Sequence, residues 1–184
     1  EDIKTYGKVK KYGFKKKYDF NSIDIETIDN EMFILGYHIN DVYHYTLDNF
    51  FDTINQILIK SVQNNREILT WSRYDNHHIF KLILNHVVSN ENEKIEILER
   101  IGKIKPILEY NYKGYTITLL NVIKDSIIIE VSFGKSRKIV NIYNLKNLFQ
   151  SDLMTIAQNY NLTYYSKLGE EFHLIDKKRF YKDE

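Results

Sequence analysis

Phe20-Asn21-Ser22-Ile23-Asp24-Ile25-Glu26-Thr27 alternates apolar and polar residues and runs into the turn-forming pair Asp29-Asn30. Alternation with period two predicts a β-strand, in which side chains two apart share a face. Ile23 and Ile25 then point into a core, and Asp24 and Glu26 project together from the other side. Two carboxylates side by side repel each other unless something relieves the charge. The pair is open to two readings: a solvated strand face, or a site for a hard divalent cation. Mg²⁺ or Mn²⁺ takes carboxylate oxygens and keeps positions for water and phosphate.

Around this stretch the chain punctuates itself clearly. Met32 to Ile39 reads as a second apolar strand, Asn40-Asp41 as a turn, and Val42 to Tyr45 as a third strand, which makes an antiparallel meander. Thr46 stands where an N-cap is expected, ahead of a helix with Leu47, Phe50, Phe51, Ile54, Ile57 and Leu58 on one face. Asn64-Asn65 ends that helix, and Glu67 to Trp71 should return as a short strand parallel to the sheet. Asp75 opens the next helix, with Ile79, Phe80, Ile83, Leu84 and Val87 as its apolar face. A further helix is expected from about Glu91 to Lys103, with Asn90 and Glu93 spaced as a capping box. From Ile107 to Tyr143 the period returns to two, with strands over Tyr115 to Ile123, Asp125 to Phe133 and Arg137 to Tyr143. Lys113-Gly114 and Gly134-Lys135 fall at the hairpin turns. Asp152 to Tyr160 reads as a last helix.

Composition narrows the function classes. The 184 residues suit one domain with a sizeable core, and 43% of them are apolar. No apolar run reaches the ~18 residues that span a bilayer, and no secretory signal is visible, so an intracellular protein without membrane partners is expected. That leaves the cytoplasm or an organelle. The absence of cysteine rules out disulfides, thiolate metal sites and thiol nucleophiles. A net charge of +1 gives no global pull on nucleic acid. The lysines at 8, 10, 11, 15, 16 and 17 are either a solvated edge or a phosphate-facing patch.

Asp75 lies at the carboxyl end of one predicted strand, where the next helix begins. Ligands of open α/β sheets bind along that edge, although Asp is also a favoured N-cap. Asp24-Ile25-Glu26-Thr27, followed by Arg73-Tyr74-Asp75, resembles the first two exonuclease motifs of family B DNA polymerases, Asp-x-Glu-Thr and Asn-x(2 or 3)-Phe/Tyr-Asp. The likeness is to the protein-primed branch, whose short Ser/Thr-Leu-x-x-hydrophobic motif is similar to Asn144-Leu145-Lys146-Asn147-Leu148. Its Leu-Thr segment and functional lysine have counterparts in Leu162-Thr163 and Lys167-Leu168-Gly169. The element order likewise resembles an RNase H-like α/β fold, a mixed sheet flanked by helices with an inserted helix and β-hairpins.

The resemblance implies a 3′–5′ proofreading exonuclease acting on single-stranded DNA or a frayed primer 3′ end, with a polymerase domain in the same or a parent chain. It implies two Mg²⁺ (or Mn²⁺) ions about 4 Å apart. Asp24, Glu26 and Asp75 would hold them, and Lys167 would neutralise charge on the scissile phosphate. Thr27, Ser72, Tyr74, Asn144 and Leu145 would line the DNA groove, with Tyr74 stacking on a base. Departures are specific. The family's second-motif Asn is replaced by Ser72 or Trp71, and the intermediate Ser/Thr by Asn144. The third motif, Tyr-x(3)-Asp, has no match after Lys167; Asp183 is nearest, with Arg179 where the Tyr belongs. The expectation is a single domain, residues 1–184, ending just before that motif. The alternatives are a degenerate RNase H-like module that binds single-stranded nucleic acid or a partner protein, and a stand-alone nuclease acting on RNA. His77 and His78 are adjacent on a helix and cannot share a metal as an i, i+4 pair could.

Overall fold

The computed structural model describes residues 20–144, which form one mixed eight-stranded sheet with three helices. Strands β1 (Phe20–Ile28), β2 (Glu31–Ile39) and β3 (Val42–Thr46) make the antiparallel meander the alternation predicts. Both connecting turns, Asp29-Asn30 and Asn40-Asp41, have positive φ at both residues. That is the two-residue turn whose twist matches a hairpin, and Asn and Asp tolerate it.

Helix α1 (Phe50–Gln63) starts later than expected. Thr46 is the last residue of β3 rather than an N-cap, and its hydroxyl donates to the Asp48 carbonyl at 2.7 Å. Leu47, expected on the apolar face, is instead 61% exposed in the connection. A threonine that ends a strand and turns the chain locally competes with capping, and Asn49 takes the N-cap position. Ile54, Ile57 and Leu58 are buried as the 3.6 period requires.

β4 (Glu67–Thr70) returns parallel to β1, with Ser22 opposite Leu69 at the end of the pairing. Helix α2 (Arg73–Val87) comes next, then α3 (Glu91–Glu99), whose N-cap Asn90 accepts from the Glu93 N–H at 3.0 Å. α3 stops short of Lys103. The remaining strands are β5 (Leu108–Tyr112), β6 (Tyr115–Ile123), β7 (Ser126–Phe133) and β8 (Ser136–Asn144). They are not a separate insertion, as the element order suggests. β8 pairs parallel with β4, giving the order β3-β2-β1-β4-β8-β7-β6-β5. Asp125, read as the start of a strand, sits with Lys124 in the β6–β7 turn at positive φ.

The three parallel strands β1, β4 and β8 thus form the centre, flanked by antiparallel hairpins on both sides. Strands buried on both faces are usual for parallel pairing, and all four residues of β4 are buried. On one face Ile23, Ile25, Ile68 and Ile142 pack with Ile57 of α1 and Ile79 and Ile83 of α2. Phe20, Ile34 and Leu69 are buried on the other. No helix among the described residues is long and apolar enough to cross a membrane. The lysine-rich segment and the helix expected after Asp152 lie outside the described residues.

Candidate carboxylate site at the carboxyl end of β1

A difference in strand length creates the site. β4 ends at Thr70, whereas β1 runs on to Ile28. Beyond Ser22 the backbone of β1 therefore has no strand partner on that side. A buried N–H must be satisfied by something else, and the first turn of α2 supplies it. Asp75 Oδ1 accepts from the Ile25 N–H at 3.2 Å. The Asp75 carboxylate thus lies against the backbone of the residue between Asp24 and Glu26.

Asp75 has a second task. Its Oδ2 accepts from the Ser72 N–H at 3.4 Å, and the Ser72 side chain accepts from the Tyr74 N–H at 3.3 Å. Ser72, with extended backbone, is the N-cap of α2, and Asp75 is the acidic partner of a capping box. The expectation that Asp75 would open the helix as its own N-cap is corrected by three residues. Asn76 completes the anchor: it accepts from the Thr70 hydroxyl and donates to the carbonyls of Asp125 (2.5 Å) and Ile142 (3.1 Å). It pins α2 to both β4 and β8. Nothing in the periodicity marks Asn76, because two of its partners, Asp125 and Ile142, lie 49 and 66 residues away.

Asp24 is 6% exposed and Asp75 3%, with Glu26 half-buried beside them. Asp24 Oδ1 and Glu26 Oε2 are both shut off from water. Ile23 and Ile25 are in the core on the opposite face, as alternation requires. At Glu26 the register with β2 slips, Ile34 facing Glu26 and Met32 facing Thr27. Such a bulge bends the strand and re-aims the residues beyond it. The Thr27 and Tyr74 hydroxyls hydrogen-bond to each other, joining β1 to the first turn of α2. Tyr74 is 43% exposed, which leaves ring surface available, and its ring meets that of His78 edge-on at 4.5 Å.

The other expected site residues fall elsewhere. Asn144 is buried at the end of β8, opposite Thr70 and two strands from β1. Its N–H donates to the Ser126 hydroxyl at 3.1 Å. Leu145, Lys167 and Asp183 lie outside the described residues. Among the described residues no three His, Asp or Glu side chains converge closely enough to hold a metal ion. The donor chemistry nonetheless fits a hard cation. Asp24, Glu26 and Asp75 offer only carboxylate oxygens, and each Asp75 oxygen that accepts one N–H keeps a lone pair.

No protein-family model, curated protein or solved structure matches this chain.

The adjacent histidines diverge, as neighbours on a helix must. The His77 and His78 rings stand at 78° to each other, the first exposed and the second buried. Burial lowers the His78 pKa below its ordinary value, and the cations of His77 and Lys81 push it the same way, opposed by Glu31. The folded chain therefore binds a proton at His78 less readily than the unfolded chain does. Stability should be full above about pH 6.5 and fall as pH drops through the unfolded-state value toward the lower folded one. Urea unfolding between pH 7.5 and 5 should show this slope, and His78→Gln should flatten it. An equal slope in that variant would assign it to other groups.

Proposed function

We propose that this chain is a 3′–5′ exonuclease of RNase H-like architecture that shortens single-stranded DNA from its 3′ end. The observation that carries the reading is the hydrogen bond from the Ile25 N–H to Asp75, which brings the acid of α2 against the backbone between the two acids of β1. The meander, crossover helix and parallel strand, in the order β3-β2-β1-β4, support the architecture. The resemblance of Asp24-Ile25-Glu26-Thr27 and Tyr74-Asp75 to proofreading motifs supports the reaction and a polymerase context.

In this reading Asp24, Glu26 and Asp75 hold two Mg²⁺ or Mn²⁺ ions. When bound, such a pair lowers the pKa of a water and stabilises the leaving 3′-oxygen of an in-line displacement. The chain's own residues do the positioning. Asp24 stands at the centre of the set, with its carboxylate held by a buried strand. Asp75 locks the amino end of α2 to that strand. Tyr74, fixed through Thr27, offers a ring face on which the terminal base stacks.

One observation favours a second reading, a nucleic-acid-binding module that does not cut. Both Asp75 oxygens already accept backbone N–H groups. The two readings separate in one assay on a 5′-labelled single-stranded oligonucleotide. The nuclease gives a ladder of 3′-shortened products with Mn²⁺ and none with EDTA. Binding that is indifferent to EDTA, without shortening, selects the module.

A further inference from the structure

Asp24 faces Gly36 across the β1–β2 pair, and Gly36 faces Tyr45 on β3. Ser22, His38 and Tyr43 make the next row on the same face, with the Ser22 hydroxyl 3.0 Å from His38 Nδ1. Directly opposed residues of antiparallel strands project to one side, so Gly36 leaves a gap beside Asp24. A glycine inside a strand weakens it, and often marks a place that something approaches closely. Here the backbone is ordinary and the glycine contributes space.

Tyr43 occupies that space. Its ring leaves its own row and leans over Gly36, so that a Cβ there would meet the Tyr43 hydroxyl oxygen at 2.9 Å and ring carbon Cε1 at 3.4 Å. The hydroxyl thus stands over the strand position directly opposite Asp24. Tyr43 is half-buried, and its ring lies 5.3 Å from that of His38 and 6.4 Å from that of Tyr45. A ring braced by neighbours directs its hydroxyl with little conformational freedom left to lose.

We propose that Tyr43 is a substrate-contacting residue, whose hydroxyl donates a hydrogen bond to a phosphate oxygen of the strand whose 3′ end lies at Asp24. The assignment rests on the nuclease reading. It identifies β3, which no sequence motif marks, as one wall of the site.

Tyr43→Phe keeps the ring over Gly36 and removes only the donor. It should weaken binding of a single-stranded oligonucleotide about fivefold in calcium, which takes the same oxygen ligands, and slow trimming in Mn²⁺ about tenfold. Gly36→Ala should give a similar loss, because its methyl displaces the hydroxyl, and the double variant should be no worse than Tyr43→Phe. A neutral methylphosphonate at the 3′-terminal linkage should weaken wild-type binding. The same replacement should cost Tyr43→Phe several-fold less than it costs the wild type, a coupling that a structural role would not produce. Losses that multiply, or wild-type affinity and rate in Tyr43→Phe, overturn the assignment and leave the nuclease reading standing. A wild-type chain that neither trims nor binds the oligonucleotide overturns that reading instead.

Discussion

Asp24→Ala should abolish metal-dependent shortening of single-stranded DNA, lowering the rate roughly a thousandfold or more, and leave the fold intact. Preorganised groups around a reaction centre carry effects of this size singly, and Asp24 is the central acid of the proposed set. The adjacent core residues Ile23 and Ile25 lie on the opposite face and keep their packing in the variant, so Asp24→Ala should still unfold cooperatively, which circular dichroism on heating checks. Shortening at the wild-type rate in Asp24→Ala would remove the mechanism altogether.

Asp75 should behave differently, because it is both a fold residue and a site residue. Truncation to alanine strands the buried Ile25 N–H and the half-buried Ser72 N–H, and removes half of a capping box. Each unsatisfied group costs about 1–3 kcal/mol, so Asp75→Ala should lose roughly 3 kcal/mol in urea unfolding as well as its activity. Asp75→Asn is the informative partner. Its amide oxygen can still accept from one N–H, so most of the stability should return, within about 1 kcal/mol of wild type. The charge does not return, so trimming should stay lost. An Asp75→Asn chain that trims normally would show that this carboxylate serves only the helix end, and would favour the module that binds without cutting.

These two acids illustrate what is legible in a chain and what is not. The strand carrying Asp24 and Glu26 follows from alternation over adjacent residues, and so does the division between core and carboxylate faces. The hairpin turns are similarly readable at Asp29-Asn30, Asn40-Asp41 and Lys113-Gly114, where Asn, Asp or Gly accepts positive φ. The core faces of α1 and α2 follow from the 3.6 period. Errors arise where two local signals compete. Thr46 could cap a helix or end a strand, and only the pairing of Thr46 with Leu35 decides between them.

By itself, then, the sequence determined the strands, most of the helices, and which side chains share a face. These depend on backbone geometry that repeats within a few residues. The tertiary structure alone decided the lateral order of strands, including the parallel pairing of β4 with β8 that merges the late hairpins into the main sheet. It decided that β4 stops at Thr70 while β1 continues, which is why Asp75 meets the Ile25 N–H instead of merely capping a helix. It also decided that the space above Gly36 receives Tyr43. Each of these contacts joins segments far apart along the chain. Their cause is the relative length and neighbourhood of strands, which no short-range periodicity encodes.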